Sequence, residues 1–115
     1  MKKLKCLIVD DDLIARKSLE RLCTKVQGLE VTGSCTSGEE ALDRLQHEPV
    51  DILFLDLDMP GMDGKQLLNQ LPASQRVVLV TGKVNKLNGT AARAAAVLTK
   101  PVNPEQFKKA ISRLV

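Results

Sequence analysis

The sequence predicts an α/β fold, a doubly wound parallel sheet of five strands with helices on both faces. Three observations predict it. Four short aliphatic runs are continuous rather than alternating, as in strands buried on both sides. Between the runs, apolar residues recur at helical spacing. Just past the ends of the runs stand acidic, hydroxyl and basic residues, where ligands bind in open α/β sheets.

Taken in order, the first strand is Cys6-Leu7-Ile8-Val9, followed by a helical stripe of Ala15, Leu19, Leu22 and Val26. The second strand lies near Glu30 to Cys35 and, being more polar, reads as an edge strand. Ser37 followed by Glu40 is a capping box for a helix that carries Ala41, Leu42 and Leu45 and stops before Pro49. Ile52 to Leu55 is the third strand. Asp63 can cap a short helix bearing Leu67, Leu68 and Leu71, which Pro72 ends. Val77 to Val80 is the fourth strand and Ala96 to Leu98 the fifth. Between them Asn88-Gly89 is a turn signal and only Thr90 to Ala96 looks helical, so the fourth helix is expected to be short or irregular. Asn103, with Pro104 at the first helical position, opens the last helix, which buries Phe107, Ala110, Ile111 and Leu114. Right-handed crossovers then place helices on both faces.

At 115 residues the chain, 1–115, suits one domain. With 43% hydrophobic and 27% charged residues, disordered and fibrous classes are excluded. Phe54 and Phe107 are the only aromatics, which leaves almost nothing to stack on nucleic acid bases. No apolar run reaches the roughly 20 residues of a membrane span and no signal-peptide pattern opens the chain, so a cytoplasmic location is expected. Cys6, Cys23 and Cys35 lack CxxC spacing and read as buried reduced thiols. His47 reads as exposed and cannot build a metal site by itself. The net charge of +3 is uneven: between Gly64 and Pro104 no acid occurs, while Lys65, Arg76, Lys83, Lys86, Arg93 and Lys100 do. They are scattered, so a solvated basic face, or one meeting an acidic protein, is expected rather than direct nucleic acid binding.

The candidate functional residues sit at strand ends. Asp10-Asp11-Asp12 follow the first strand, Asp56 the third, Thr81 the fourth and Lys100-Pro101 the fifth. Carboxylates brought together repel unless a cation intervenes, and an oxygen-only set suits Mg²⁺. Mg²⁺ prefers to share its shell with a phosphate, and a carboxylate can itself be the nucleophile that becomes an acyl phosphate. The metal, Lys100 and the Thr81 hydroxyl would neutralise charge on the transferring oxygens.

Leu7-Ile8-Val9-Asp10-Asp11-Asp12, Leu55-Asp56 with Met59-Pro60-Gly61-Met62-Asp63-Gly64, Val80-Thr81-Gly82 and Leu98-Thr99-Lys100-Pro101 together resemble the response-regulator receivers. The resemblance covers the whole chain and implies a flavodoxin-like strand order of 2-1-3-4-5. It implies Asp56 as phospho-acceptor, Asp11 as direct Mg²⁺ ligand, Asp10 as ligand through water, and the Asp58 backbone carbonyl as a further ligand. Thr81 and Lys100 would contact the phosphoryl group, with a cis Lys100–Pro101 bond. The implied partners are a sensor histidine kinase or phosphotransfer protein and an output protein or effector domain. A phosphorylation-dependent dimer is compatible with it, and the domain is expected to be a phospho-accepting switch rather than an enzyme. Leu13-Ile14-Ala15-Arg16 and Pro104-Glu105-Gln106-Phe107 look like receivers that precede LytTR-type DNA-binding domains. Two departures from the family are Val97, where an aromatic is common, and a short spacing from Thr81 to Lys100. They direct attention to Gly82 to Thr90, with two glycines and two asparagines, as the segment that would move.

Two rival readings exist. Asp56-Leu57-Asp58, Val80-Thr81 and Lys100 also resemble a haloacid-dehalogenase-type phosphatase, although Glu105 is the only acid after Asp63, where that family needs a later acidic metal motif. The other is a receiver-like interaction module that is never phosphorylated, against which stands the complete set of site residues.

Overall fold

The computed structural model describes residues 3–57, 59, 64–82 and 93–114. In chain order the elements are β1 (Leu4–Val9), α1 (Leu13–Thr24), β2 (Leu29–Cys35), α2 (Gly38–His47), β3 (Ile52–Leu55), α3 (Gly64–Gln70), β4 (Arg76–Thr81), β5 (Ala96–Thr99) and α4 (Pro104–Ser112). The strands form one sheet in the order β2-β1-β3-β4-β5, and every pairing is parallel. The continuous aliphatic runs are explained by burial on both faces. Cys6, Ile8, Ile52, Phe54, Val78, Val80 and Leu98 face α1 and α4. Their chain neighbours Leu7, Val9, Leu53, Leu55, Val77 and Leu79 face α2 and α3. Successive strand side chains point to opposite faces, so each run feeds two cores at once.

Local chemistry starts three of the four described helices. The Asp12 carboxylate caps α1 by accepting from the Ile14 amide at 3.2 Å. Ser37 Oγ accepts from the Glu40 amide at 3.1 Å, and the Glu40 carboxylate accepts from the Thr36 amide at 2.8 Å, one residue short of the reciprocal capping-box partner. Asn103 Oδ1 accepts from the Gln106 amide at 2.7 Å, with Pro104 opening α4. The two aromatics, Phe54 and Phe107, meet with ring centroids 5.7 Å apart, pinning α4 to the sheet.

Two expectations move at their edges. The helical reading of Thr90 to Ala96 fails at its end, because Ala96 opens β5 and the Ala95 amide already donates to the Val77 carbonyl at 2.8 Å. A pairing partner in β4 outweighs the helix propensity of the alanines. Residues 83–92, with Lys83, Asn88-Gly89 and the start of that segment, lie outside the described residues, as does Asp63, the expected cap of α3. In β2 the register slips opposite Cys6 and Leu7, and Thr32 stands across from no partner. There Thr32 Oγ1 donates to the Cys6 carbonyl at 3.1 Å and Arg44 Nη2 donates to the Thr32 carbonyl at 3.2 Å. A bulge covered by an arginine blunts the edge strand.

Candidate phosphoryl-transfer and metal site

Parallel strands of similar length end at one edge of the sheet, and there the backbone fixes the acids. The Asp10 amide donates to the Cys35 carbonyl at 3.1 Å, and the Asp56 amide to the Val9 carbonyl at 3.0 Å. Lys100 is brought across by its own amide, which donates to the Thr81 carbonyl at 2.9 Å. The Lys100–Pro101 peptide bond is cis. Asp10, Asp56 and Thr81 are buried, whereas Asp11 is exposed.

Carboxylate oxygens of Asp10, Asp11 and Asp56 lie within 4.8 Å of one another. The Lys100 ammonium sits 2.8 Å from Asp10 Oδ2 and 3.4 Å from Asp56 Oδ2. Burial would push the Lys100 pKa down, but the Asp10 and Asp56 carboxylates more than offset this, and the net direction is upward. Lys100 is therefore a fixed cation at physiological pH. Asp10 Oδ1 is engaged by the Asp12 amide at 2.9 Å. Its Oδ2 is buried and accepts no aligned hydrogen bond among the described residues, so its contact with Lys100 is an ion pair only.

Among the described residues one ammonium faces three carboxylates, which leaves that set negative, and the buried Asp10 Oδ2 accepts no aligned hydrogen bond. A small hard cation with oxygen preference answers both needs, so the residues fit Mg²⁺. Of the residues read from the sequence, Asp10, Asp11, Asp56, Thr81 and Lys100 come to this edge; Asp58, whose carbonyl was expected to bind metal, lies outside the described residues. Asp12 turns away to cap α1.

Sequence reasoning quoted Gly64 within the receiver signature but gave it no structural role. Its amide donates to the Leu57 carbonyl at 3.1 Å, and a Cβ there would meet Leu57 Cα and come within 2.7 Å of the Asp56 carbonyl oxygen. Helix α3 thus leans on the backbone that carries Asp56. The only signal in the sequence is a glycine where a helix begins, which does not reveal what it touches.

Three acids, a hydroxyl and an ammonium at the carboxyl edge of a doubly wound sheet are the groups a Mg²⁺-assisted phosphoryl acceptor requires. The family model described as response regulator receiver domain matches residues 6–112, and the chain belongs to that family. Protein-glutamate methylesterase/protein-glutamine glutaminase 5 of Myxococcus xanthus is 39% identical over 99 residues, covering 82% of this chain and 28% of that protein. Transcriptional regulatory protein BtsR of Salmonella typhi is 30% identical over 114 residues, covering 96% of this chain and 48% of that protein. The chain therefore spans less than half the length of these curated relatives. In the crystal structure of the CheX–CheY–BeF3–Mg²⁺ complex from Borrelia burgdorferi, the matching chain superposes with a TM-score of 0.85 at 26% identity, covering 99% of this chain and 91% of that one. The acid cluster has the Mg²⁺-binding arrangement of receivers. Among the described residues no helix is long and apolar enough to cross a membrane.

Proposed function

We propose that residues 1–115 act as one receiver domain in which Asp56 accepts a phosphoryl group from a sensor histidine kinase or phosphotransfer protein. The observation that carries this reading is the Lys100 ammonium lying 2.8 Å from Asp10 and 3.4 Å from Asp56, beside three acids that suit Mg²⁺. An Asp56 oxygen attacks phosphorus, the new O–P bond forms as the donor's P–N bond breaks, and that electron pair stays on the donor imidazole. Asp10, Asp11, Asp56 and the Asp58 carbonyl would hold Mg²⁺, which when bound neutralises charge on the transferring oxygens. Lys100 and the Thr81 hydroxyl stabilise the phosphoryl oxygens from the other side.

A protein donor is supported by the apolar rim of the site. Leu13 and Ile14 are 57% and 79% exposed at the start of α1, and Ile14 lines a cleft together with Ala15, Lys100, Pro101 and Val102. Apolar side chains that folding leaves in water suit contact with another protein. The output, through a partner or a further domain, follows from the phosphorylated state being recognised differently from the free one. The test is intact-mass measurement after incubation with a small-molecule phosphodonor and Mg²⁺. One added phosphoryl group is expected, absent with a chelator and absent in Asp56→Asn. Labelling of Asp56→Asn equal to the native chain would contradict the assignment.

A further inference from the structure

The acid cluster is met by the Lys100 ammonium and, at the backbone of Asp10, by Arg16 of α1. Arg16 lies in the first turns of α1 and is half-buried. Its Nη1 donates to the Asp10 backbone carbonyl at 2.8 Å, and its own amide donates to the Asp12 carbonyl at 3.0 Å. One residue thus ties both ends of the bend Asp10-Asp11-Asp12. Two further hydrogen bonds shape the bend: the Asp12 amide donates to Asp10 Oδ1 at 2.9 Å, and the Ile14 amide donates to the Asp12 carboxylate at 3.2 Å.

Asp11, in the middle, is exposed, and its direction is set by the backbone on which it stands. A peptide unit is planar, so pinning the Asp10 carbonyl also fixes the amide and the Cα of Asp11, the backbone from which its side chain departs. We propose that Arg16 is a positioning residue for Mg²⁺: by holding the Asp10–Asp11 peptide plane, it aims the Asp11 carboxylate into the cluster. The inference rests on the reading of that cluster as the Mg²⁺ site.

The sign of the effect separates positioning from charge. A guanidinium near a cation site repels the cation, so by electrostatics alone its removal tightens Mg²⁺ binding. By positioning, its removal weakens binding, since groups that orient metal ligands are worth about 10–100-fold in affinity. A merely structural role lowers stability and leaves affinity unchanged.

The experiment is titration calorimetry of the full chain with Mg²⁺, paired with urea unfolding in its absence. Arg16→Ala is expected to bind Mg²⁺ about tenfold more weakly than the native chain. Arg16→Gln, which also removes the charge but keeps a donor, should fall between the two. Should Arg16→Ala not fold, the Arg16→Gln affinity decides alone. Affinity equal to or tighter than native in the folded variants would overturn the proposal. A native chain that takes up no Mg²⁺ would overturn the reading of the site, and the role of Arg16 with it.

Discussion

Lys100 is more than two-thirds shielded from solvent, with its side chain 26% exposed, yet it keeps its proton because two carboxylates surround it. Removing it takes away the ammonium that lies 2.8 Å from the buried Asp10 carboxylate. Breaking a fully buried pair costs roughly 3–5 kcal/mol; with Lys100 partly solvated, Lys100→Ala is expected to cost about 1–3 kcal/mol. The loss should shrink when Mg²⁺ is present in excess, because the metal replaces the missing positive charge and stabilises the folded chain by mass action. Urea unfolding with and without Mg²⁺ checks this. A loss of the same size in both conditions would separate the lysine from the metal.

At the scale of elements, two glycines carry opposite expectations. At Gly64 a methyl group would collide with Leu57 Cα and the Asp56 carbonyl oxygen, both backbone. Either α3 or the end of β3 must then move, and Asp56 moves with it. Gly64→Ala is expected to cost about 1–3 kcal/mol and to slow phosphorylation of Asp56. At Gly33 the three atoms nearest to an added methyl group belong to the guanidinium end of Arg44, which can swing into solvent. Gly33→Ala is expected to cost under about 1 kcal/mol, little more than the hydrogen bond Arg44 makes to Thr32. Unfolding curves and phosphorylation rates measured on both variants test the contrast; equal effects would show that α3 does not brace the acceptor.

On the scale of the whole molecule, the three thiols of the two cores shape stability against pH. Burial pushes Cys6 to about 11, Cys23 to about 12 and Cys35 to about 11, from an ordinary 9.0. In the unfolded chain they ionise first, so the unfolded state binds fewer protons above pH 9 and stability falls as pH rises toward the folded values. The slope is about 1.4 kcal/mol per pH unit for each thiol in that window. Urea midpoints between pH 7 and 11 should therefore fall less steeply in Cys23→Ala than in the native chain; parallel curves would contradict it. How much of this molecule was legible in the sequence follows from what each signal reports. Strands buried on both sides read as unbroken aliphatic runs, helix caps are local, and acids at strand ends are forced together by parallel pairing. So the architecture, the cysteine burial and the set Asp10, Asp11, Asp56, Thr81 and Lys100 could be read. The bulge at Thr32, the end of the alanine segment, the contact of Gly64 and the reach of Arg16 to a carbonyl depend on backbone positions far apart in sequence or on acceptors every residue possesses. No residue type announces them.

The central claim, that Asp56 is the acceptor, is tested most directly by locating the phosphoryl group. Borohydride reduces an acyl phosphate to the alcohol and releases phosphate, converting an aspartyl phosphate to homoserine. After labelling with a small-molecule phosphodonor and Mg²⁺, peptide mapping should find homoserine at position 56 and at no other aspartate. Homoserine at Asp10 or Asp11 with Asp56 intact would contradict the account.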